Sequence, residues 1–247
     1  MLAEQRMETI LTELEQQRAV SVGHLCEVTG ASEATIRRDL TLLARQGKLN
    51  KVHGGAVLIG EEFRGEELDM ETKQQLNMEE KRRIARYAAG LVTDEDVVYL
   101  DAGSTVMLMA DYIQVQKALF VTSSIECAAK LTRRGLRVYV LGGMLKPGTV
   151  ALVGTEALLS LKRYNFTKAF LGANGVAVSQ GFTTPDPEEA AVKALAALRA
   201  REAYVLADAS KFDTITAAEM FPLEDASIIT DRLPDQRYRE YTSIEEV

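Results

Sequence analysis

Between Ala34 and His53 the sequence places five basic side chains, Arg37, Arg38, Arg45, Lys48 and Lys51, against a single acid, Asp39. A local net of +4 inside a chain of net charge −7 is the kind of patch that neutralises phosphates. A second set of residues suits a smaller anion. In Asp101-Ala102-Gly103-Ser104-Thr105 the small side chains let a backbone approach a ligand, and the amides with two hydroxyls fit a phosphate. The stretches Thr122-Ser123-Ser124, Gly142-Gly143, Gly172-Ala173-Asn174-Gly175 and Gly181-Phe182-Thr183-Thr184 share that character, and Asp186, Glu188, Glu189, Lys193 and Asp208-Ala209-Ser210-Lys211-Phe212 follow. Other readings stand beside these. The 101–105 stretch is neither a Walker A loop nor GxGxxG, small residues at strand-to-helix turns also serve packing, and acids at a helix start serve capping.

Other chemistry finds few residues. The only histidines are His24 and His53, and His24 with Cys26 lacks the further ligands that zinc needs. With both histidines in the N-terminal stretch, no Ser-His-Asp set can be assembled. Cys127 sits in an apolar helical stretch and reads as core. Two distant cysteines imply no disulfide framework and fit a reducing cytoplasm. The charged first segment, with Glu4, Arg6, Glu8, Glu13 and Glu15, excludes a signal peptide or a membrane span there.

The basic set needs a helix and a hairpin to position it. Ser32 is a natural N-cap, Glu33 suits the positive end of the helix dipole, and at about 100° per residue Ile36, Leu40 and Leu43 share one face. Ala34, Arg38, Thr41 and Arg45 lie opposite with Arg37 beside them, so the apolar side docks and the cationic side is presented; Leu42 falls on the wet side of this wheel. Residues 4–17 form a first helix through Met7, Ile10, Leu11 and Leu14, and Val20 to Val28 form a second that breaks at Gly30-Ala31. Lys48 to Val57 alternates as a basic hairpin with glycines at its tip. Three helices and a wing make a winged helix-turn-helix, whose last helix enters a major groove about 12 Å wide.

The second set needs a sheet. After an acidic, aperiodic stretch from Gly60 to Asn77, short β-branched runs alternate with helical segments, as in a mostly parallel sheet covered by helices. The strands expected are Val97–Leu100, Leu119–Val121, Val138–Leu141, Ala169–Leu171, Tyr204–Leu206 and Ile228–Ile229. The helices expected are Glu80–Leu91, Thr105–Val115, Ile125–Arg133, Glu188–Arg201 and Ala217–Met220. Ligands in such folds lie beyond the carboxyl ends of the strands, where the small-residue loops converge.

Thr35-Ile36-Arg37-Arg38-Asp39-Leu40 followed by His53-Gly54-Gly55-Ala56 resembles the N-terminal signature of DeoR-type transcriptional regulators of sugar metabolism. Leu100-Asp101-Ala102-Gly103-Ser104-Thr105, Leu141-Gly142-Gly143, Phe170-Leu171-Gly172 and Asp208-Ala209-Ser210-Lys211-Phe212 resemble, in order, the effector domain of that family. The likeness covers about residues 4 to 235; the family's usual final apolar strand is poorly expressed in Tyr241 to Val247. It implies an effector domain similar in fold to ribose-5-phosphate isomerase. That enzyme carries an Asp-Gly-Ala-Asp stretch in its active site, and the matching Leu171-Gly172-Ala173-Asn174 has neither acid. A proton transfer without its positioned base commonly loses a factor of about 10²–10⁴, so binding without turnover is expected, with a sugar-phosphate isomerase as the alternative.

The expectation is therefore a cytoplasmic DNA-binding regulator, a repressor of a sugar operon, with residues 1–57 as the winged helix-turn-helix, 58–77 as linker and 78–247 as the effector domain. Ser32, Ala34, Thr35, Arg37, Arg38, Thr41, Lys48, Lys51 and His53 are expected at double-stranded operator DNA. Asp101, Ala102, Gly103, Ser104, Thr105, Thr122, Ser123, Gly142, Gly143, Asn174, Asp186, Lys193 and Lys211 are expected around a phosphorylated sugar. No metal or cofactor is called for. One small domain offers little surface for genomic specificity, so a homo-oligomer, dimer or tetramer, is expected.

Overall fold

The structure, a computed structural model, describes residues 3–17, 19–46, 48–52, 54–58, 62–63 and 68–247. The chain divides into two compact units, Met1–Glu61 and Glu62–Val247.

The first unit runs α1 (Ala3–Gln17), β1 (Ala19–Ser21), α2 (Val22–Thr29), α3 (Glu33–Arg45), β2 (Leu49–Val52) and β3 (Gly55–Leu58). Gly30 ends α2 with φ 68°, a left-handed turn that favours glycine, and Ser32 caps α3 by accepting from the Thr35 amide. Ile36 and Leu40 are fully buried and Leu43 nearly so, packed with Ile10, Leu14 and Leu25. Each such side chain contributes about 1.5–3 kcal/mol by burial. Strands β2 and β3 pair antiparallel, with Leu49 opposite Leu58, and β1 joins β3 to make a three-stranded wing sheet. Leu42 is exposed, as the wheel requires.

The second unit begins inside the stretch expected as linker. β4 (Glu62–Phe63) pairs with a later strand, and α4 (Met70–Gln75), capped by Asp69, buries Met70. Then follow α5 (Met78–Gly90), β5 (Val97–Leu100), α6 (Ser104–Tyr112), β6 (Leu119–Thr122), α7 (Ile125–Arg133) and β7 (Arg137–Val140). Next come β8 (Met144–Leu145), β9 (Leu152–Val153), α8 (Thr155–Leu161), β10 (Phe166–Gly172), β11 (Gly175–Ala177), β12 (Gly181–Thr184) and α9 (Pro187–Leu198). The chain ends with β13 (Ala200–Leu206), β14 (Thr214–Ile215), β15 (Ala218–Phe221), β16 (Ser227–Thr230) and β17 (Ile244–Glu246).

Seven strands form one sheet in the order β17-β16-β13-β10-β5-β6-β7, and every pair is parallel. Both faces are covered, which is why the strands read as continuous apolar runs. Alternate residues feed two cores: Tyr99, Val121, Ala169, Leu171 and Val205 on one face, Val98, Leu100, Phe120, Phe170 and Leu206 on the other.

Three expectations are corrected. Ala217–Met220 is not a helix, because Ala218–Phe221 pairs as β15 with β12 and that pairing overrides the helix-forming Ala, Glu and Met. Gly181 to Thr184 is not a loop but β12, between β11 and β15. The final strand does form: Ile244–Glu246 is β17, parallel to β16, with Ile244 buried.

Candidate functional site

In the first unit the exposed side of α3 carries Ala34, Arg37, Arg38 and Arg45, and exposed Lys48 and Lys51 sit at the start of the wing. Arg37 reaches Glu33 at 3.2 Å, one turn back. Thr41 donates to the Arg37 carbonyl at 2.7 Å and accepts from Lys51 Nζ at 2.7 Å, so the wing is laced to the helix. Ser32 spends its hydroxyl on the cap and on Thr35 Oγ1 at 3.0 Å. Arg38 makes no ion pair among the described residues. His53 lies outside the described residues.

The acid that charge counting sets against these cations is withdrawn from them. Asp39 is 7% exposed and takes Arg6 Nε from α1 at 2.6 Å, with Nη2 at 3.4 Å on its other oxygen. That hydrogen bond holds the Arg6 guanidinium above its usual pKa. The residue that frees the cationic face is thus Arg6, which the helix wheel of α1 gave no reason to single out.

In the second unit a cleft opens at the carboxyl ends of β5, β10 and β13, enclosing about 570 Å³ of empty space with its mouth. Ala102 to Thr105 form one wall, where Gly103 opens α6 with no side-chain cap and leaves the helix N-terminus to a ligand. Gly172 to Asn174 form another, with Asn174 Oδ1 accepting from Thr184 Oγ1 at 3.1 Å. Lys193 of α9 and Lys211 complete the expected set that the structure brings together. Asp101 lies beneath the wall, 3% exposed, and its Oδ2 accepts from the Gly172 amide at 3.0 Å and pairs with Lys193. Lys193 also donates to the Gly172 carbonyl at 3.2 Å, so its charge locks β5 to β10.

The remaining expectations for this cleft are corrected. Thr122 and Ser123 are buried under the sheet end, accepting from the Ser124 amide and from Tyr99 OH, both at 3.0 Å. Gly142 and Gly143 form a turn; Gly143 has φ 126°, and a Cβ there would meet the Val153 carbonyl at 2.5 Å, so it serves close packing. Asp186 caps α9 and pairs with Lys146 at 2.9 Å, which spends its carboxylate on structure and holds it below the usual carboxylate range against the penalty of burial.

Other lining groups lie outside the set expected around the ligand. Lys73 comes from α4 and Lys81 from α5, both outside the strand-end loops. Lys81 is 4% exposed and donates to the Lys73 carbonyl. Burial pushes its ammonium below the usual lysine range, Asp208 pulls it up, and Lys211 and Lys73 push it down again. Glu189 accepts from Thr149 Oγ1 at 2.6 Å and Lys146 Nζ at 3.0 Å. Asp208 Oδ1 accepts from Asn77, Ser210 N and Ser210 Oγ, while its buried Oδ2 has no partner. Only the 3.6-residue pattern of α5, which counts Lys81 on its buried side, could have pointed to the lysine.

Among the described residues no cluster of three His, Cys, Asp or Glu could hold a metal ion, and no helix is long and apolar enough to cross a membrane. Burial pushes the Cys127 thiol up to about 12, as for an unreactive core cysteine.

Comparison with known proteins adds the following. A family model described as the DeoR-like helix-turn-helix domain matches residues 6–62, and one described as the DeoR C terminal sensor domain matches residues 76–232. The chain is 40% identical to the HTH-type transcriptional regulator FruR of Bacillus subtilis (strain 168), over 100% of this chain and 99% of that protein. It is 32% identical to the lactose phosphotransferase system repressor of Streptococcus mutans, over 99% of each. Among solved structures, ribose 5-phosphate isomerase A of Methanocaldococcus jannaschii aligns with a TM-score of 0.40 at 19% identity, over 55% of this chain and 53% of that one.

Proposed function

The chain belongs to the DeoR family of helix-turn-helix transcriptional regulators, and from that premise we propose that it is a cytoplasmic repressor that reads operator DNA through α3 and the wing. A phosphorylated sugar in the cleft of the second unit controls it, and it works as a homo-oligomer on paired half-sites. The observation that carries the effector reading is the gathering of Lys73, Lys81 and Lys211 at the uncapped start of α6. Burial and the charges of Lys211 and Lys73 press on the Lys81 ammonium and Asp208 offsets only part of that, so an anion entering the cleft adds to the offset. Asn174 and the unpartnered Asp208 Oδ2 are suited to sugar hydroxyls.

The cleft binds without turnover in this reading. Leu171 and Asn174 stand where the isomerase motif has acids, and the Asp101 carboxylate is engaged by Lys193 and the Gly172 amide. The experiment is a fluorescence-anisotropy titration of a labelled duplex selected from a random pool, with and without a panel of sugar phosphates. Arg38→Ala weakens binding by about 1–3 kcal/mol, and one sugar phosphate shifts the wild-type curve where its unphosphorylated sugar does not. An unchanged Arg38→Ala titration sinks the α3 assignment; an equal response to the unphosphorylated sugar sinks the phosphate site. Turnover of ribose 5-phosphate in a coupled assay, lost with Lys193→Ala, overturns the non-catalytic reading.

A further inference from the structure

The two edges of the seven-stranded sheet are built differently. At one edge β17 presents exposed Glu245 and Glu246, with Arg239 on Glu246 at 2.6 Å, the charged guard that keeps a free edge from pairing. At the other edge β7 carries one exposed charge, Arg137 at its start, and is apolar from there on. Tyr139 and Val140 are 46% and 43% exposed there, and the next turn brings Met144 and Leu145 out at 57% and 45%. Leu159 of α8 is 48% exposed. Tyr139 and Val140 point to opposite sides of the sheet, so the edge is apolar on both. Tyr139 packs its ring 5.9 Å from Tyr164, just past α8, and Gly143 lies so close to Ala157 that a Cβ would meet it at 3.0 Å, which sets the hairpin and α8 beside this edge.

We propose that this face, the β7 edge with the β8–β9 hairpin and α8, is the contact between two copies of this chain, closed by antiparallel pairing of β7 with the β7 of its partner. The inference rests on the oligomer reading given above and supplies its surface. A two-fold axis makes identical edge strands run antiparallel, and it leaves no open end, so the contact stops at two copies. The area is sufficient. Five side chains about half exposed, at ~150–200 Å² each when free, offer roughly 400 Å² of apolar surface per copy. Two copies bury about 800 Å² of it, and since an interface is roughly 56–65% apolar the whole contact comes to about 1,200–1,400 Å², within the range of stable complexes. The β17 edge offers no comparable surface.

The test is sedimentation equilibrium of the full chain without DNA or ligand, on wild type, Tyr139→Glu and Leu159→Glu, with circular dichroism to establish folding. Wild type sediments at twice the chain mass or more, and each variant associates at least tenfold more weakly. A tetramer that drops to a dimer in the variants supports the proposal equally. Met144→Glu, on the exposed hairpin outside the sheet, serves if Tyr139→Glu does not fold, and it weakens association in the same direction. A monomeric wild type overturns both the oligomer reading and this face. A wild-type dimer unaffected by folded Tyr139→Glu, Leu159→Glu or Met144→Glu overturns this face alone.

Discussion

Lys81 carries a cost in the free protein that a ligand would remove. Its folded pKa lies below the ordinary 10.5, with burial as the main cause and two neighbouring lysines adding to it. Between that lowered value and 10.5 the unfolded chain holds the proton more tightly than the folded one, so stability rises with pH through this window. At neutral pH the buried cation therefore opposes folding. Lys81→Met removes the cation and keeps the apolar stem, and it should raise the melting temperature of the free protein by a few degrees, since about 1 kcal/mol moves a unit of this size by roughly 2–4 °C. The same substitution should abolish the stabilisation that a sugar phosphate gives the wild type. Thermal scans with and without ligand read both effects, and a variant that is destabilised when free, or stabilised by ligand as strongly as wild type, contradicts the assignment. This lysine escaped sequence reasoning because its one signal, a place on the buried side of the α5 pattern, names no ligand. Ser104, Thr105 and Lys211 were legible because they follow the strands β5 and β13, where any parallel sheet opens its crevice.

Among the elements, those with strong periodicity were legible and those made by pairing were not. α7 spans its expected Ile125–Arg133 and α3 begins where expected, because Ser124 and Ser32 cap them and their apolar stripes are regular. β12 and β15 were hidden: Gly181 to Thr184 has turn composition and Ala218 to Phe221 has helix formers, and only pairing across the chain makes them strands. The Gly142-Gly143 pair has the composition of a ligand loop and the geometry of a packing turn. With φ 126° and the Val153 carbonyl within 2.5 Å of a would-be Cβ, Gly143→Ala must both strain the backbone and push β9 from β8. A loss of about 2 kcal/mol or more is expected in urea unfolding of the full chain. The cleft lies elsewhere, so Gly143→Ala should bind the effector with wild-type affinity at temperatures where it is folded. A stable variant with weakened binding would return Gly143 to the ligand site.

At the scale of the whole molecule the charge distribution decides how DNA is held. Residues 1–57 carry seven basic and seven acidic side chains, so the rest of the chain holds the entire net charge of −7. Overall charge thus opposes contact with a polyanion, and attraction must come from the exposed cations of α3 and the wing, with Asp39 turned inward by Arg6. Each phosphate neutralised contributes about 0.9 to the salt slope, so two copies presenting five cations each can reach a slope of at most about −9. Arg37 already pairs with Glu33 and Lys51 with Thr41, which places the expected value below that bound. In the proposed interface Lys48 meets phosphates and reads no base, and Lys48→Gln tests that role. It should weaken binding to selected and random duplexes alike and flatten the slope by about 2 for two copies, measured by anisotropy between about 50 and 200 mM salt. A loss confined to the selected duplex would make Lys48 a base-reading residue. An unchanged slope would remove the wing from the interface and leave α3 alone to hold the operator.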